Sequence, residues 1–156
     1  NDVMGKEIER KFLVKDNSFI QMTTELRHIC QTYISDKPEA TVRIRVCDDH
    51  AWITVKGKND GAVRDEWEYA IPVNDAMEMA ERLAGGWNID KTRYVVIYEG
   101  ARWEVDVFHG RHDGLVLAEI ELSSASDSFV LPPFIGDEVT GDPRYYNSVL
   151  AAHKQL

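Results

Sequence analysis

The 156-residue chain lacks several motifs that identify common enzyme classes. It has no Gly-x4-Gly-Lys-Ser/Thr phosphate loop, and Gly57-Lys58 by itself does not make one. The Gly-x-Ser-x-Gly elbow of serine hydrolases is also missing. The histidines show no His-x-His or His-x3-His spacing, so we expect no zinc site, and we predict that His109 and His112 are solvated turn residues.

Cysteines and long apolar runs are also scarce. Cys30 and Cys47 lie in apolar runs without metal-ligand spacing, so we predict reduced, packed thiols in a cytoplasmic protein; a disulfide stays open as the alternative. No apolar run approaches the roughly 18 residues of a membrane span, and no signal-peptide pattern is present. We expect no membrane partner, a native start at Met4 and a single domain over residues 4–156.

Positive charge is in deficit, with 18 Lys and Arg against 27 Asp and Glu and a net charge of −9. Surfaces that bind nucleic-acid duplexes are normally basic, so we expect no nucleic-acid partner. The apolar share of 44% and the charged share of 29% are typical of a globular domain. The chain is long enough to bury a core of its own.

Apolar and charged residues alternate at period two along most of the chain, which predicts β-strands. The predicted strands are 8–14, 29–34, 40–47, 51–56, 63–71, 89–98, 102–108 and 115–122. Helical segments are predicted at 18–27, 74–84 and 144–153, and 131–136 is expected to be extended or a short turn. Short turns between strands favour an antiparallel meander closed into a barrel. The predicted fold is therefore a β-dominated α+β domain with an eight-stranded antiparallel β-barrel, a few flanking helices and a C-terminal helix.

Charged side chains recur on one face of seven of these strands. The acidic ones are Glu7, Glu9, Glu66, Glu68, Glu104, Asp106, Glu119 and Glu121. The basic ones are Lys11, Arg43, Arg45, Lys56, Arg64, Lys91 and Arg93. Glu7 and Glu9 lie about 7 Å apart at Cα on a strand, close enough to share one hard cation.

Two orientations fit this pattern. The apolar set can fill the barrel while the charged set faces water, or the charged set can line a wet lumen. We favour the lumen, because the repeated face is rich in arginine and carboxylate and nearly free of neutral polar residues. Interior charge is costly unless it is paired, hydrated or bound to metal. Acids grouped for cations and bases grouped for anions describe a site for a metal–polyphosphate complex.

The run Glu7-Ile8-Glu9-Arg10-Lys11 resembles the Glu-x-Glu-x-Lys signature of the CYTH superfamily, the triphosphate tunnel metalloenzymes. Further blocks resemble that family in the same order and cover nearly the whole domain. They are Thr41-Val42-Arg43-Ile44-Arg45, Thr54-Val55-Lys56-Gly57, Arg64-Asp65-Glu66-Trp67-Glu68, Lys91-Thr92-Arg93-Tyr94, Trp103-Glu104-Val105-Asp106-Val107-Phe108, Leu117-Ala118-Glu119-Ile120-Glu121 and Glu138-Val139-Thr140.

The resemblance implies a tunnel open at both ends that cleaves triphosphates with Mg²⁺ or Mn²⁺. It assigns metal binding to Glu7, Glu9, Glu119 and Glu121, with Asp106 as a further candidate. It assigns phosphate binding to Lys11, Arg43, Arg45, Lys56 and Arg93, with Arg64 as a further substrate contact. It places Glu9, Lys11, Lys91 and Glu121 among the catalytic residues. The roles of Glu66, Glu68, Glu104 and Tyr33 stay open.

The expected substrate is inorganic tripolyphosphate, hydrolysed to pyrophosphate and phosphate. The alternatives are a class IV-type adenylyl cyclase, a thiamine or nucleoside triphosphatase, and a barrel that binds polyphosphate without turnover. A homodimer is expected because outward apolar strand faces need cover.

Overall fold

The computed structural model describes residues 5–152, so Met4 and the end of the predicted C-terminal helix at residue 153 lie outside the described residues. The strands of this part are β1 (Lys6–Val14), β2 (Thr23–Lys37), β3 (Ala40–Cys47), β4 (His50–Gly57), β5 (Val63–Ile71), β6 (Ile89–Tyr98), β7 (Ala101–Phe108), β8 (Val116–Glu121) and β9 (Ile135–Glu138). The α-helices are α1 (Phe19–Met22), α2 (Val73–Ala84) and α3 (Asn147–Ala152), and Gly110–His112 and Pro143–Tyr145 form 3-10 turns.

Strands β1 to β8 close into an antiparallel barrel, which confirms the predicted fold. Their order around the barrel is β5-β4-β3-β2-β6-β7-β8-β1, and β1 returns to β5. The closing strand β1 pairs with β5 through Lys6, Glu7 and Ile8, and with β8 from Glu9 onward. Beyond Phe12 its free edge is covered by β9, so the sheet leaves no open edge along β1.

The main apolar core lies outside the barrel rather than within it. Phe12, Trp103 and Val105 point outward from their strands and pack against Phe19 of α1 and against Phe134. A second outer cluster joins Ile44 and Ala51 of the sheet to Ala76 of α2. These covering segments remove outward apolar residues of β1, β7 and β8 from water, whereas Trp67 and Tyr69 of β5 stay exposed, and the inward positions are left to the charged set. The charged set therefore faces the lumen, as the sequence analysis favours.

A third apolar cluster lies inside the barrel, at one end. Ile89, Phe108 and Leu117 alternate in phase with the lumen residues of β6, β7 and β8, and they pack against Leu150 and Ala151 of α3. Leu150 is completely buried there. Because α3 fills this end, the expectation of a tunnel open at both ends is wrong at the α3 end.

Three local predictions also need correction. Residues 23–27 extend β2 instead of continuing α1, because they pair with β6, and this pairing outweighs their local helical preference. Only the first two residues of β9 belong to the segment 131–136 that was expected to be extended or a short turn of helix, because the pairing of β9 with β1 does not show in the local sequence. His112 is buried rather than solvated, with its Nε2 2.6 Å from the carbonyl oxygen of Leu150.

The predicted end of α2 is confirmed. Gly85 ends α2 with φ of 73°, the left-handed conformation that glycine adopts at little cost. Cys30 and Cys47 are free and half-buried. Between residues 5 and 152, no helix combines the length and the apolarity needed to cross a membrane.

Candidate active site

Two neighbouring strands, β1 and β8, place acidic side chains on the inner surface of the barrel. Glu9 lies directly opposite Glu121, and Lys11 lies directly opposite Glu119. Glu7 shares the inward face of β1 and lines the same cavity. Carboxylates that face each other repel, which destabilises a sheet unless a cation lies between them. The four glutamates predicted to bind metal are thus brought together around one space.

The protein alone neutralises this acidic side poorly. Burial raises the pKa of Glu9 well above its usual range, and the charges of Glu119 and Glu7 raise it further. Burial also disfavours the charge of Glu119, but Lys11 and a hydrogen bond from Glu9 outweigh it and lower its pKa to about 2. Carboxylate oxygens are the ligands that Mg²⁺ and Mn²⁺ prefer, so these residues fit a divalent cation.

The basic side of the same cavity comes from β3 and β6. Arg45 donates from Nε to Oε1 of Gln31 at 2.9 Å, and within residues 5–152 it has no ion-pair partner. Burial, together with the charges of Arg43 and Arg93, lowers the pKa of Arg45 to about 10. An anion between these side chains would relieve that repulsion.

Two buried donors on this side point to the same conclusion. Nε of Arg43 and Nε2 of Gln31 have no hydrogen-bond partner among residues 5–152. Buried donors are nearly always paired, so unpaired ones in a cavity indicate a missing acceptor. Phosphate oxygens supply acceptors of this kind, and arginine binds them with favourable geometry.

Asp106 holds two of the predicted basic residues in place. Its Oδ1 accepts from Nε of Arg93 at 2.8 Å, and its Oδ2 accepts from Nζ of Lys91 at 2.7 Å. Burial disfavours its charge, but Arg93 and Lys91 outweigh it and hold its pKa far below the usual range. Burial lowers the pKa of Lys91 to about 7. The charge of Asp106 raises this pKa, whereas the charge of Arg93 lowers it. Both oxygens of Asp106 are therefore already engaged.

The two remaining lysines bridge the acidic side to other parts of the lumen. Nζ of Lys56 donates to both oxygens of Glu7, at 2.8 and 2.9 Å, and lies 3.7 Å from Glu66. Nζ of Lys11 donates to the carbonyl oxygen of Tyr145 at 2.8 Å and lies 3.6 Å from Glu119. Both lysines are thus fixed beside the space between the glutamates.

Arg64 lies opposite Glu7 in the register of β5 and β1, and Glu68 lines the same cavity as Glu7. Arg64 donates to the carbonyl oxygen of Gly57 at 3.0 Å and lines a smaller cavity of about 40 Å³ that also contains Lys11 and Arg43. Glu68 accepts from Thr54 at 2.7 Å and from Arg43 at 3.3 Å. Glu68 therefore orients an arginine of the site.

The main cavity has a volume of about 270 Å³. This is slightly below the usual range for drug-sized ligands, roughly 300–1,000 Å³, and suits a small polyanion with its cation. Its lining residues are Glu7, Glu9, Arg43, Arg45, Lys56, Glu66, Glu68, Arg93, Glu104, Glu119, Glu121 and Asn147. The acidic and basic sets thus meet across one space.

The sequence model of the family described as CYTH domain matches residues 5–146. This chain belongs to the CYTH domain family. An inorganic triphosphatase of Acetivibrio thermocellus is 46% identical to it over 147 residues, covering 94% of each protein. An inorganic triphosphatase of Nitrosomonas europaea is 36% identical over 149 residues, covering 93% of this chain and 96% of the relative.

A solved structure of a CYTH relative agrees with the fold. The crystal structure of the inorganic triphosphatase NE1496 aligns with a TM-score of 0.65 and 33% identity, covering 94% of this chain and 98% of that one. The likeness therefore extends over most of the chain.

Three polar residues that contact the basic side chains of this CYTH site were not predicted from the sequence. Gln31 and Thr54 alternate in phase with Tyr33 and Lys56, so strand periodicity alone could have placed them in the lumen. Asn147 could not be found in this way, because no strand pattern shows where α3 meets the barrel. Its Oδ1 lies 3.4 Å from Nζ of Lys91.

Proposed function

We propose that this CYTH protein hydrolyses inorganic tripolyphosphate to pyrophosphate and phosphate with the help of Mg²⁺ or Mn²⁺. One observation carries the proposal: a single cavity joins the facing carboxylates of Glu9 and Glu121 to Arg45, a buried arginine with no ion-pair partner among residues 5–152. The two relatives named inorganic triphosphatase support this substrate class. The free thiols of Cys30 and Cys47 agree with the cytoplasm as its location.

Four glutamates would hold the cation: Glu7, Glu9, Glu119 and Glu121. When bound, a divalent cation neutralises phosphate oxygens and makes water a better nucleophile at neutral pH. Asp106 is the weaker candidate ligand, since its two oxygens accept from two separate bases, Arg93 and Lys91, and it is not among the residues that line the main cavity. We assign Asp106 the role of orienting those two bases.

The basic side chains bind the polyphosphate. Arg43, Arg45 and Arg93 contact its oxygens through their guanidinium groups, while Lys11 and Lys56 act as point charges next to the glutamates. Arg64 contacts the substrate near the smaller cavity. Fixing the chain of phosphates in this way aligns the terminal phosphorus with the attacking water.

The reaction transfers a phosphoryl group to water. The water oxygen bonds to the terminal phosphorus, the bridging P–O bond breaks, and pyrophosphate leaves. Glu121, which lies opposite Glu9, orients the water. Lys91 is completely buried and donates to Asp106, so we assign it the role of positioning Asp106 and Arg93, and the proton of the attacking water leaves with the orthophosphate.

The test is a comparison of substrates. The purified protein is incubated with tripolyphosphate, ATP or thiamine triphosphate, each with Mg²⁺ or Mn²⁺, and phosphate and cyclic AMP are measured. We expect orthophosphate and pyrophosphate from tripolyphosphate at the highest kcat/KM. Cyclic AMP from ATP would replace the proposal with a cyclase, and tight tripolyphosphate binding without product would replace it with a binding protein.

A further inference from the structure

A second group of metal-ligand side chains lies on the outer surface of the barrel. His28 and Cys30 are two residues apart on β2 and therefore point to the same face. Asp90 of β6 lies directly opposite Cys30 in the antiparallel register. The backbone ladder of two neighbouring strands thus brings a nitrogen, a sulfur and an oxygen ligand together.

The distances between these ligand atoms suit a tetrahedral metal. Nε2 of His28 lies 2.7 Å from Oδ1 of Asp90 and 3.9 Å from Sγ of Cys30. All three ligand atoms lie within 4.8 Å of one another. Metal–ligand distances of about 2.0–2.3 Å place tetrahedral zinc ligands about 3.3–3.7 Å apart. Small side-chain rotations, without movement of the strands, would convert the present arrangement into that geometry.

The group is also accessible. The side chains of His28 and Asp90 are 58% and 50% exposed, and Cys30 is half-buried beside them. A metal can therefore enter from solvent, and water can complete the coordination. The expectation of no zinc site rested on the spacings between histidines and between cysteines and did not consider this His-x-Cys pair.

We propose that His28, Cys30 and Asp90 bind one divalent transition metal of the Zn²⁺ class, with water at the fourth position. Imidazole and thiolate favour such metals, whereas the all-oxygen carboxylate site of the lumen favours Mg²⁺ or Mn²⁺. The chain thus binds two kinds of metal, one inside the barrel at β1 and β8 and one outside it at β2 and β6. The outer metal joins β2 to β6 and stabilises the fold through that link.

Cobalt(II) is the probe, because a cobalt–thiolate bond gives a charge-transfer absorption band that reports cysteine ligation directly. The full chain is titrated with Co²⁺ in the presence of excess Mg²⁺, which keeps the lumen carboxylates occupied. We expect a saturable thiolate band with one Co²⁺ per chain, displaced by one equivalent of Zn²⁺. We also expect Zn²⁺ to raise the thermal midpoint of the wild-type protein.

The variants separate this site from other metal binding. Cys30→Ser should abolish the thiolate band, and His28→Gln or Asp90→Asn should weaken Zn²⁺ binding by more than about tenfold. Cys47→Ser is the matched control, since Cys47 is also free and half-buried but belongs to β3 and not to the cluster; it should keep the band. Glu9→Gln should keep it too, because Glu9 lies in the lumen.

Three results would overturn the proposal: no thiolate band in the wild-type protein, a band that survives Cys30→Ser, or Zn²⁺ affinity unchanged in both His28→Gln and Asp90→Asn. Circular dichroism checks the fold of each variant. If Cys30→Ser does not fold, the two substitutions of exposed side chains decide the matter through Zn²⁺ affinity and the zinc-dependent rise in thermal midpoint.

Discussion

The acidic and basic sides of the lumen balance their charges in different ways. On the acidic side, Glu9 and Glu121 face each other, and burial among carboxylates raises the pKa of Glu9 well above its usual range. On the basic side, Asp106 neutralises Lys91 and Arg93, while the hydrogen-bond partner of Arg45 among residues 5–152 is the amide of Gln31. This difference distinguishes charged residues that stabilise the fold from charged residues that are available to bind a ligand. Asp106 belongs to the first kind, and Glu9 and Arg45 belong to the second.

The largest expected effect on stability comes from removing the charge of Asp106, which pairs with Lys91 and Arg93. Asp106→Asn leaves Lys91 and Arg93 without their buried carboxylate, which should lower the free energy of unfolding by about 3–5 kcal/mol. Urea unfolding measures this loss. Adding Lys91→Met to Asp106→Asn should recover part of it, since one unpaired charge is removed. A loss below about 1 kcal/mol would show that Asp106 does not act as this anchor.

Acid should unfold the metal-free protein through Glu119. Because the pKa of Glu119 is lowered to about 2 in the folded protein, its contribution is fully present above the unfolded value near 4.5. That contribution is lost as the pH falls through about 2, and it amounts to roughly 3 kcal/mol. Urea unfolding at a series of pH values should show a shallower acid loss in Glu119→Gln than in the wild-type protein. Parallel curves for the two proteins would contradict this pKa.

Removing the charge of Arg45 should affect the binding of tripolyphosphate more than the stability of the fold. Arg45→Met should raise the KM for tripolyphosphate about 10- to 100-fold, as expected for lost hydrogen bonds to a charged ligand. The free energy of unfolding should stay the same or rise, because the repulsion from Arg43 and Arg93 is relieved. The control is Arg82→Met, an exposed arginine of α2 with a side chain 75% exposed. A clear drop in the free energy of unfolding with an unchanged KM would show that Arg45 stabilises the fold and does not bind the substrate.

The smallest effect is expected at an ion pair outside the lumen. Arg10 donates twice to Glu138 at 2.6 Å, and both side chains are about one-third exposed. Glu138→Gln should cost about 1 kcal/mol or less and should leave phosphate release unchanged. Urea unfolding and the phosphate assay measure both. A cost equal to that of Asp106→Asn would remove the distinction between inner and outer ion pairs.

Strand periodicity predicted the barrel and the lumen set well, because a side-chain period of two is fixed by the backbone. The run from Ala40 to Cys47, for example, is predicted and observed with the same bounds. Periodicity did not show which charges pair. Arg93 and Asp106 come from different strands, and their contact depends on a register that only the folded sheet defines.

Features that depend on packing between distant segments could also not be predicted from the local sequence pattern. The segment 23–27 has a local helical preference, yet it pairs with β6. His112 lies near glycines typical of a turn, but the carbonyl oxygen of Leu150 covers it once α3 is in place. The closure of one barrel end by α3 follows from the same docking.

The most direct test of the account is Glu9→Gln assayed at saturating Mg²⁺ with tripolyphosphate, beside the exposed-surface control Glu81→Gln. The account predicts a loss in kcat of at least about 100-fold for Glu9→Gln, since a charge that positions the cation is removed, with circular dichroism and the thermal midpoint preserved. The control should match the wild-type protein. Turnover by folded Glu9→Gln at the wild-type rate would contradict the claim that the inward-facing carboxylates form the catalytic metal site.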